Sequence, residues 1–207
     1  MVPNKYELQE AINIVHQALA LGLAESVRRN QHPESWACDN QIDEFQVVSG
    51  ACKGVIIPDM DFVIKYDYVK NPYCAREYEN YQRAVEAGLE RYFPYTAHLC
   101  CVDGIDFYIQ ERAVCGDDCD FSDLAVDSLK RYYDSLGESY DDDKIYDDIE
   151  SMQDDAADMI RIVFQDEDLV NFVLANHIND LHFGNYGSIY GRYVIIDFSG
   201  SGIGIWG

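Results

Sequence analysis

The chain has 207 residues, 48% of them hydrophobic and 13% aromatic, with 38 acidic against 15 basic side chains and a formal net charge of -23. This apolar content supplies a core and excludes global disorder, and the length suits one domain or two small lobes. So acidic a surface repels phosphate backbones and anionic membranes, which excludes nucleic-acid binding through a basic face and favours a partner protein with a basic surface.

The opening residues, Met1-Val-Pro-Asn-Lys-Tyr-Glu7, lack the charged-then-apolar layout of a secretion signal. No run reaches the roughly 18 apolar residues of a spanning helix, so the expected location is the cytoplasm. Leu8, Ile12, Val15, Leu19 and Leu23 recur at three- and four-residue steps, which predicts one amphipathic helix from Lys5 to Arg29, ending before His32-Pro33. At Phe45 the period changes. Phe45–Gly50 and Gly54–Ile57 read as two strands around a glycine-bounded turn, Pro58–Asp61 as a turn, and Phe62–Tyr66 as a third strand. Pro72 opens a helix expected to reach Tyr92, with Tyr78, Tyr81, Val85 and Leu89 at helical spacing. Leu99–Val102 and Ile105–Gln110 flank Asp103-Gly104, a strong hairpin dipeptide.

From Asp117 to Asp168 the composition turns acidic, which reads as solvated loops and helix surfaces rather than calcium loops. Met159, Ile160, Val163 and Phe164, then Leu169, Phe172 and Val173, predict two helices, the second running into His177. The seven cysteines are expected to be reduced thiols, since neither Cys100-Cys101 nor Cys115-x3-Cys119 has the partner spacing of a zinc site.

The chemistry sits near the carboxyl end. His177-Ile-Asn-Asp180-Leu-His-Phe-Gly-Asn185 is followed by Val194-Ile-Ile-Asp197-Phe-Ser-Gly200, with the turn Tyr190-Gly191-Arg192 between them. Two carboxylates and an amide on loops between short strands suit phosphoryl transfer, where one acid orients the acceptor and the others hold magnesium. The turn should bring Asn185 and Asp197 to the same mouth. Asp180-x4-Asn185 followed by Asp197-Phe-Ser-Gly200 resembles the catalytic and metal-binding loops of protein kinases and aminoglycoside phosphotransferases, most closely the small kinase-like proteins of phages and bacteria.

That resemblance implies an α+β, truncated protein-kinase-like fold, with a five-stranded antiparallel small lobe carrying one helix and a reduced, mainly helical large lobe. The implied domains are an N-terminal helical extension over 1–40, a small lobe over 41–113, and a large lobe with an acidic insert over 114–207. It implies Mg2+ and ATP bound between the lobes. Asp180 would orient the acceptor hydroxyl, Lys65 would hold phosphates, and Glu77 (or Glu79) would pair with Lys65. Gly50 and Gly54 would bound the phosphate turn, Gln110 to Ala113 with Arg112 would form the adenine hinge, and Asn185 and Asp197 would bind metal. His177 would brace the loop, and His182 reads as structural. The chain departs from the family pattern at Asn179, where regulated kinases carry arginine, at the extra residue in Asp197-Phe-Ser-Gly200, and in the seven residues that follow, too few for a peptide-binding platform. The expected function is that of an ATP-dependent phosphotransferase, a protein kinase acting on a host or partner protein. The alternatives are a catalytically inactive kinase-like binding module and an acidic decoy that mimics nucleic acid.

Overall fold

Asn4 starts the first helix. Its side chain accepts hydrogen bonds from the Tyr6 and Glu7 amides, and the Glu7 carboxylate accepts from the Asn4 amide, a reciprocal cap that satisfies donors otherwise orphaned. In a computed structural model, which describes residues 2–50, 52–115, 119–153, 156–179 and 181–200, this helix is α1 (Lys5–Ala20). The single long helix expected to Arg29 is interrupted: Gly22 takes φ 89°, and α2 (Leu23–Arg28) restarts behind it. The Leu21 carbonyl released at the break accepts the Trp36 indole N–H at 3.1 Å, from α3 (Pro33–Asp39). Pro33 sits in the first turn of that helix, where its missing N–H costs nothing.

The chain is mixed α+β, with eight α-helices among the described residues, and divides into two compact units. The first, Met1–Gln82 with Pro94–Arg112, contains β1 (Gln46–Ser49), β2 (Lys53–Ile57), β3 (Phe62–Asp67), β4 (Thr96–Val102) and β5 (Ile105–Glu111). They form an antiparallel sheet in the order β1-β2-β3-β5-β4. Asp103 and Gly104 both have positive φ, 53° and 77°, the left-handed pair that a tight β4–β5 hairpin needs.

The sheet register sorts the side chains onto two faces. Ile56 pairs with Ile64, Ile64 with Ile109, and Tyr66 with Phe107; this apolar face packs against Ala11, Val15, Ala18, Leu23 and Trp36 of α1–α3. The opposite face carries Lys53 paired with Asp67, Val55 with Lys65, and Lys65 with Tyr108, and it meets α4 (Tyr73–Glu86) through Glu77. Strand alternation thus places one lysine, an aspartate and a second lysine on the side facing the helix. The helix expected to reach Tyr92 ends at Glu86; Gly88 adopts φ 72°, and Glu90–Tyr92 forms a separate 3-10 turn.

The second unit, Arg83–Phe93 with Ala113–Gly207, combines α5 (Phe121–Leu136), α6 (Asp142–Gln153), α7 (Ala156–Val163) and α8 (Glu167–Ala175) with a three-stranded sheet. Its strands run in the order β6 (Val114–Cys115), β7 (Tyr186–Ile189), β8 (Arg192–Ile195). The acidic region is thus largely helical, with its apolar stripe inward: Ala125, Leu129, Ile145, Met159 and Ile160 are buried while its Asp and Glu side chains lie mostly outside. Asp166 caps α8 and also receives Arg91 at 2.8 Å and the Tyr92 hydroxyl at 2.6 Å; the Tyr92 bond is the main reason its carboxyl sits below its ordinary range. No helix among the described residues is long and apolar enough to cross a membrane.

Candidate functional site

The first unit buries a charged cluster between its sheet and α4. Glu77, 1% exposed, receives an ammonium on each oxygen: Lys53 Nζ lies 2.6 Å from Oε1 and Lys65 Nζ lies 3.0 Å from Oε2. Lys65 reaches it from the central strand β3, and Lys53 from the first position of β2. Glu79, two residues along the same helix, is exposed, so helical geometry selects Glu77 as the partner of Lys65. Gln110 is buried on β5, and its amide donates to Thr96 at 3.1 Å and to Glu77 at the long distance of 3.5 Å. Asp67, at the end of β3, accepts the Cys74 amide and so anchors the start of α4. Burial pushes the Asp67 carboxyl up to about 6, opposed in part by that amide bond. Cys74 is buried against the same carboxylates, and its thiol is pushed up by burial first and by Glu77 next.

The turn and hinge residues have structural partners of their own. Gly50 donates its amide to the Lys53 carbonyl at 3.1 Å, closing the β1–β2 turn, and among the described residues nothing crowds the place of a Cβ on it. Gly54 differs: an added Cβ would stand 2.3 Å from the Tyr66 ring, so this glycine is needed for cross-strand packing. In the segment read as the hinge, β5 continues through Glu111. The Glu111 amide donates to Tyr95 and the Arg112 amide to Asp61, both at 2.8 Å, while Gln110 lies in the ladder between Val63 and Thr96. Arg112 itself is exposed.

The second unit holds the other predicted group. Tyr190 and Gly191 take φ 49° and 78°, a two-residue turn that folds β8 onto β7. At the open end of this hairpin the Ile196 amide donates to the Asn185 carbonyl at 2.9 Å, which sets Asn185 beside the residue preceding Asp197. Asn185 is buried, and the half-buried Asp197 accepts from the Ser199 hydroxyl at 3.3 Å. Phe198 is fully buried against Phe93, ring centres 4.9 Å apart, which anchors the loop immediately after Asp197. Gly200 takes φ 70° with the Asn176 and His177 carbonyls 3.0 Å from the place of a Cβ, so the loop closes tightly over the end of α8. His182 accepts the Gly184 amide on Nδ1 at 3.1 Å and thereby shapes the 3-10 turn Phe183–Asn185; His177 is exposed with φ 55°. Beside this turn lies a cavity of about 380 Å³, walled by Phe121, Phe183 and Tyr186 and rimmed by Asp120, Ser122 and Asp123. Asp180 lies outside the described residues, as does the tail 201–207. Among the described residues, no three His, Cys, Asp or Glu side chains gather as a metal-binding group, and no disulfide joins the cysteines.

No family model matches the chain, and neither a curated protein nor a solved structure resembles it significantly.

Lys53, Asp67 and Thr96 belong to the buried cluster yet escape a motif reading. Period-two alternation was the available signal: once Lys65 faces inward, so does Asp67, and a strand starting at Lys53 turns that lysine to the same face.

Proposed function

We propose that the chain is an ATP-dependent phosphotransferase of the protein-kinase-like kind, acting on a hydroxyl of a partner protein. One observation carries this reading: a buried ion pair joins Lys65 of the central strand to Glu77 of the single helix between the third and fourth strands. Phosphoryl transfer needs a lysine whose ammonium is held at a fixed place, and a carboxylate on a packed helix does that. The chain order of three strands, α4 and two further strands in one antiparallel sheet supports the same reading, since it is the strand and helix order the sequence resemblance implies.

In this reading Lys65 holds phosphate oxygens, Glu77 positions it, and Asp180 orients the acceptor hydroxyl. Asn185 and Asp197 are suited to hold magnesium, because an amide oxygen and a carboxylate are ligands of the kind it takes and the Asn185 backbone pairs with the residue before Asp197. Magnesium supplies neutralisation of the phosphate charge. Adenine recognition through Gln110 and Arg112 needs protein groups other than the Glu111 and Arg112 amides, which already donate to the Tyr95 and Asp61 carbonyls.

The test is thermal melting with and without magnesium and ATP. Ligand at 100 times its Kd stabilises the folded state by about 2.7 kcal/mol, so a clear upward shift is expected for the wild type and none for Asp197→Ala. Equal melting of the wild type with and without the nucleotide contradicts the proposal.

A further inference from the structure

We propose that Lys53 is a second phosphate-binding residue, so that Glu77 arms two lysines and the site takes a ligand with adjacent phosphoryl groups. This deepens the phosphotransferase reading and rests on it for the identity of the ligand as a nucleotide. The geometry is nearly symmetric. Lys53 comes from β2 and Lys65 from β3, and each binds a different oxygen of one carboxylate, at 2.6 and 3.0 Å. Two ammonium groups are therefore gathered around one point, which suits two neighbouring phosphates rather than one. All three side chains are nearly sealed, Glu77 at 1% exposure and Lys53 and Lys65 at 9% and 10%, so both ammonium groups are held at fixed places beside their shared carboxylate.

Lys53 is also fixed in place from behind. Its carbonyl accepts the Gly50 amide, and Tyr68 clamps the turn by donating its hydroxyl to the Gly50 carbonyl at 3.2 Å and its amide to the Cys52 carbonyl at 3.4 Å. Stability alone explains such a triad poorly. Desolvating a carboxylate and two ammonium groups costs more than their attraction reliably returns, and apolar side chains in the same volume would serve the fold as well. Asp67, opposite Lys53 in the ladder, balances part of the charge in the absence of ligand, but its oxygens also hold the Cys74 amide.

The experiment uses inorganic tripolyphosphate, pyrophosphate and orthophosphate as probes, without magnesium and at fixed ionic strength, beside magnesium–ATP. Calorimetry should show tripolyphosphate bound by the wild type at least tenfold more tightly than orthophosphate. Lys53→Met should weaken it by tenfold or more, comparably to Lys65→Met. Should Lys53→Met fail to fold, lysine acylation of the wild type read by mass spectrometry replaces it, and tripolyphosphate should protect Lys53 and Lys65 together. Tripolyphosphate binding without ATP binding removes the nucleotide reading and keeps the paired lysines. ATP binding that Lys53→Met leaves unchanged, or protection of Lys65 alone, overturns the role of Lys53 and keeps the phosphotransferase. Absence of binding by every phosphate overturns both.

Discussion

Replacing Gly54 by alanine separates a packing role from a phosphate-cradling one. The new Cβ would stand 2.3 Å from Cζ, 2.5 Å from the hydroxyl oxygen and 2.6 Å from Cε1 of Tyr66. Reaching 3.0 Å requires a relative movement of about 0.7 Å, of a kind that close-packed interiors resist. The ring has nowhere to swing, because Tyr66 is fully buried against Phe107 and the helices beneath the sheet. Overpacking of this kind costs about 2–3 kcal/mol, the upper part of the usual range. For a chain of this size that corresponds to a fall in Tm of roughly 5–10 °C. Circular dichroism melts of Gly54→Ala, Tyr66→Leu and the double variant would measure it. The clash disappears when the ring does, so the double variant should be more stable than the sum of the single losses by at least about 1 kcal/mol. Strictly additive losses, or a normal Tm combined with lost ATP binding, would refute the packing argument and return Gly54 to the ligand.

The other predictions concern buried polar groups. Glu77→Ala strips the shared carboxylate from two buried lysines and should cost about 3 kcal/mol in urea unfolding, whereas Glu79→Ala, on the exposed side of α4, should cost less than about 0.5 kcal/mol. The Asp67 carboxyl is raised from 3.8 to about 6, so its protonated form favours folding; its contribution is full below about pH 4 and is lost as pH rises through 6. Asp67→Asn should therefore flatten the dependence of stability on pH between about 4 and 7, read as denaturation midpoints across that range; an unchanged slope contradicts the assignment. The Tyr186 hydroxyl is buried with no hydrogen-bond partner among the described residues, so Tyr186→Phe should leave the urea midpoint unchanged or raise stability by up to about 1 kcal/mol; a loss above that would mean the hydroxyl has a partner.

Local chemistry made much of this molecule legible in the sequence. Asp103-Gly104 and Tyr190-Gly191 carry the left-handed backbone that two-residue hairpins need, and the strands on either side pair as their alternation predicts. Lys65 and Glu77 could be matched because one lies in a short apolar strand and the other on a strongly periodic helix. Features settled by tertiary contacts were not legible. The apolar stripe of the first helix runs unbroken past Leu21, yet the chain bends at Gly22, where the Leu21 carbonyl finds the Trp36 indole. Lys53 stands between a cysteine and a glycine and reads as part of a turn; only its pairing with Asp67 shows which way it faces. Gly54 looks like half of a phosphate loop until the ring of Tyr66, twelve residues on, is seen to occupy the space of its side chain. Strand and turn propensities act over a few residues, whereas facing and crowding depend on strands far apart in the chain.

Calorimetric titration of magnesium–ATP into the wild type, Lys65→Met and Asp197→Asn tests the central claim most directly, with each variant shown to be folded beforehand. Saturable binding by the wild type, weakened at least tenfold in both variants, is the predicted result. A wild type that binds no nucleotide, or a folded Lys65→Met variant that binds it with undiminished affinity, contradicts the account.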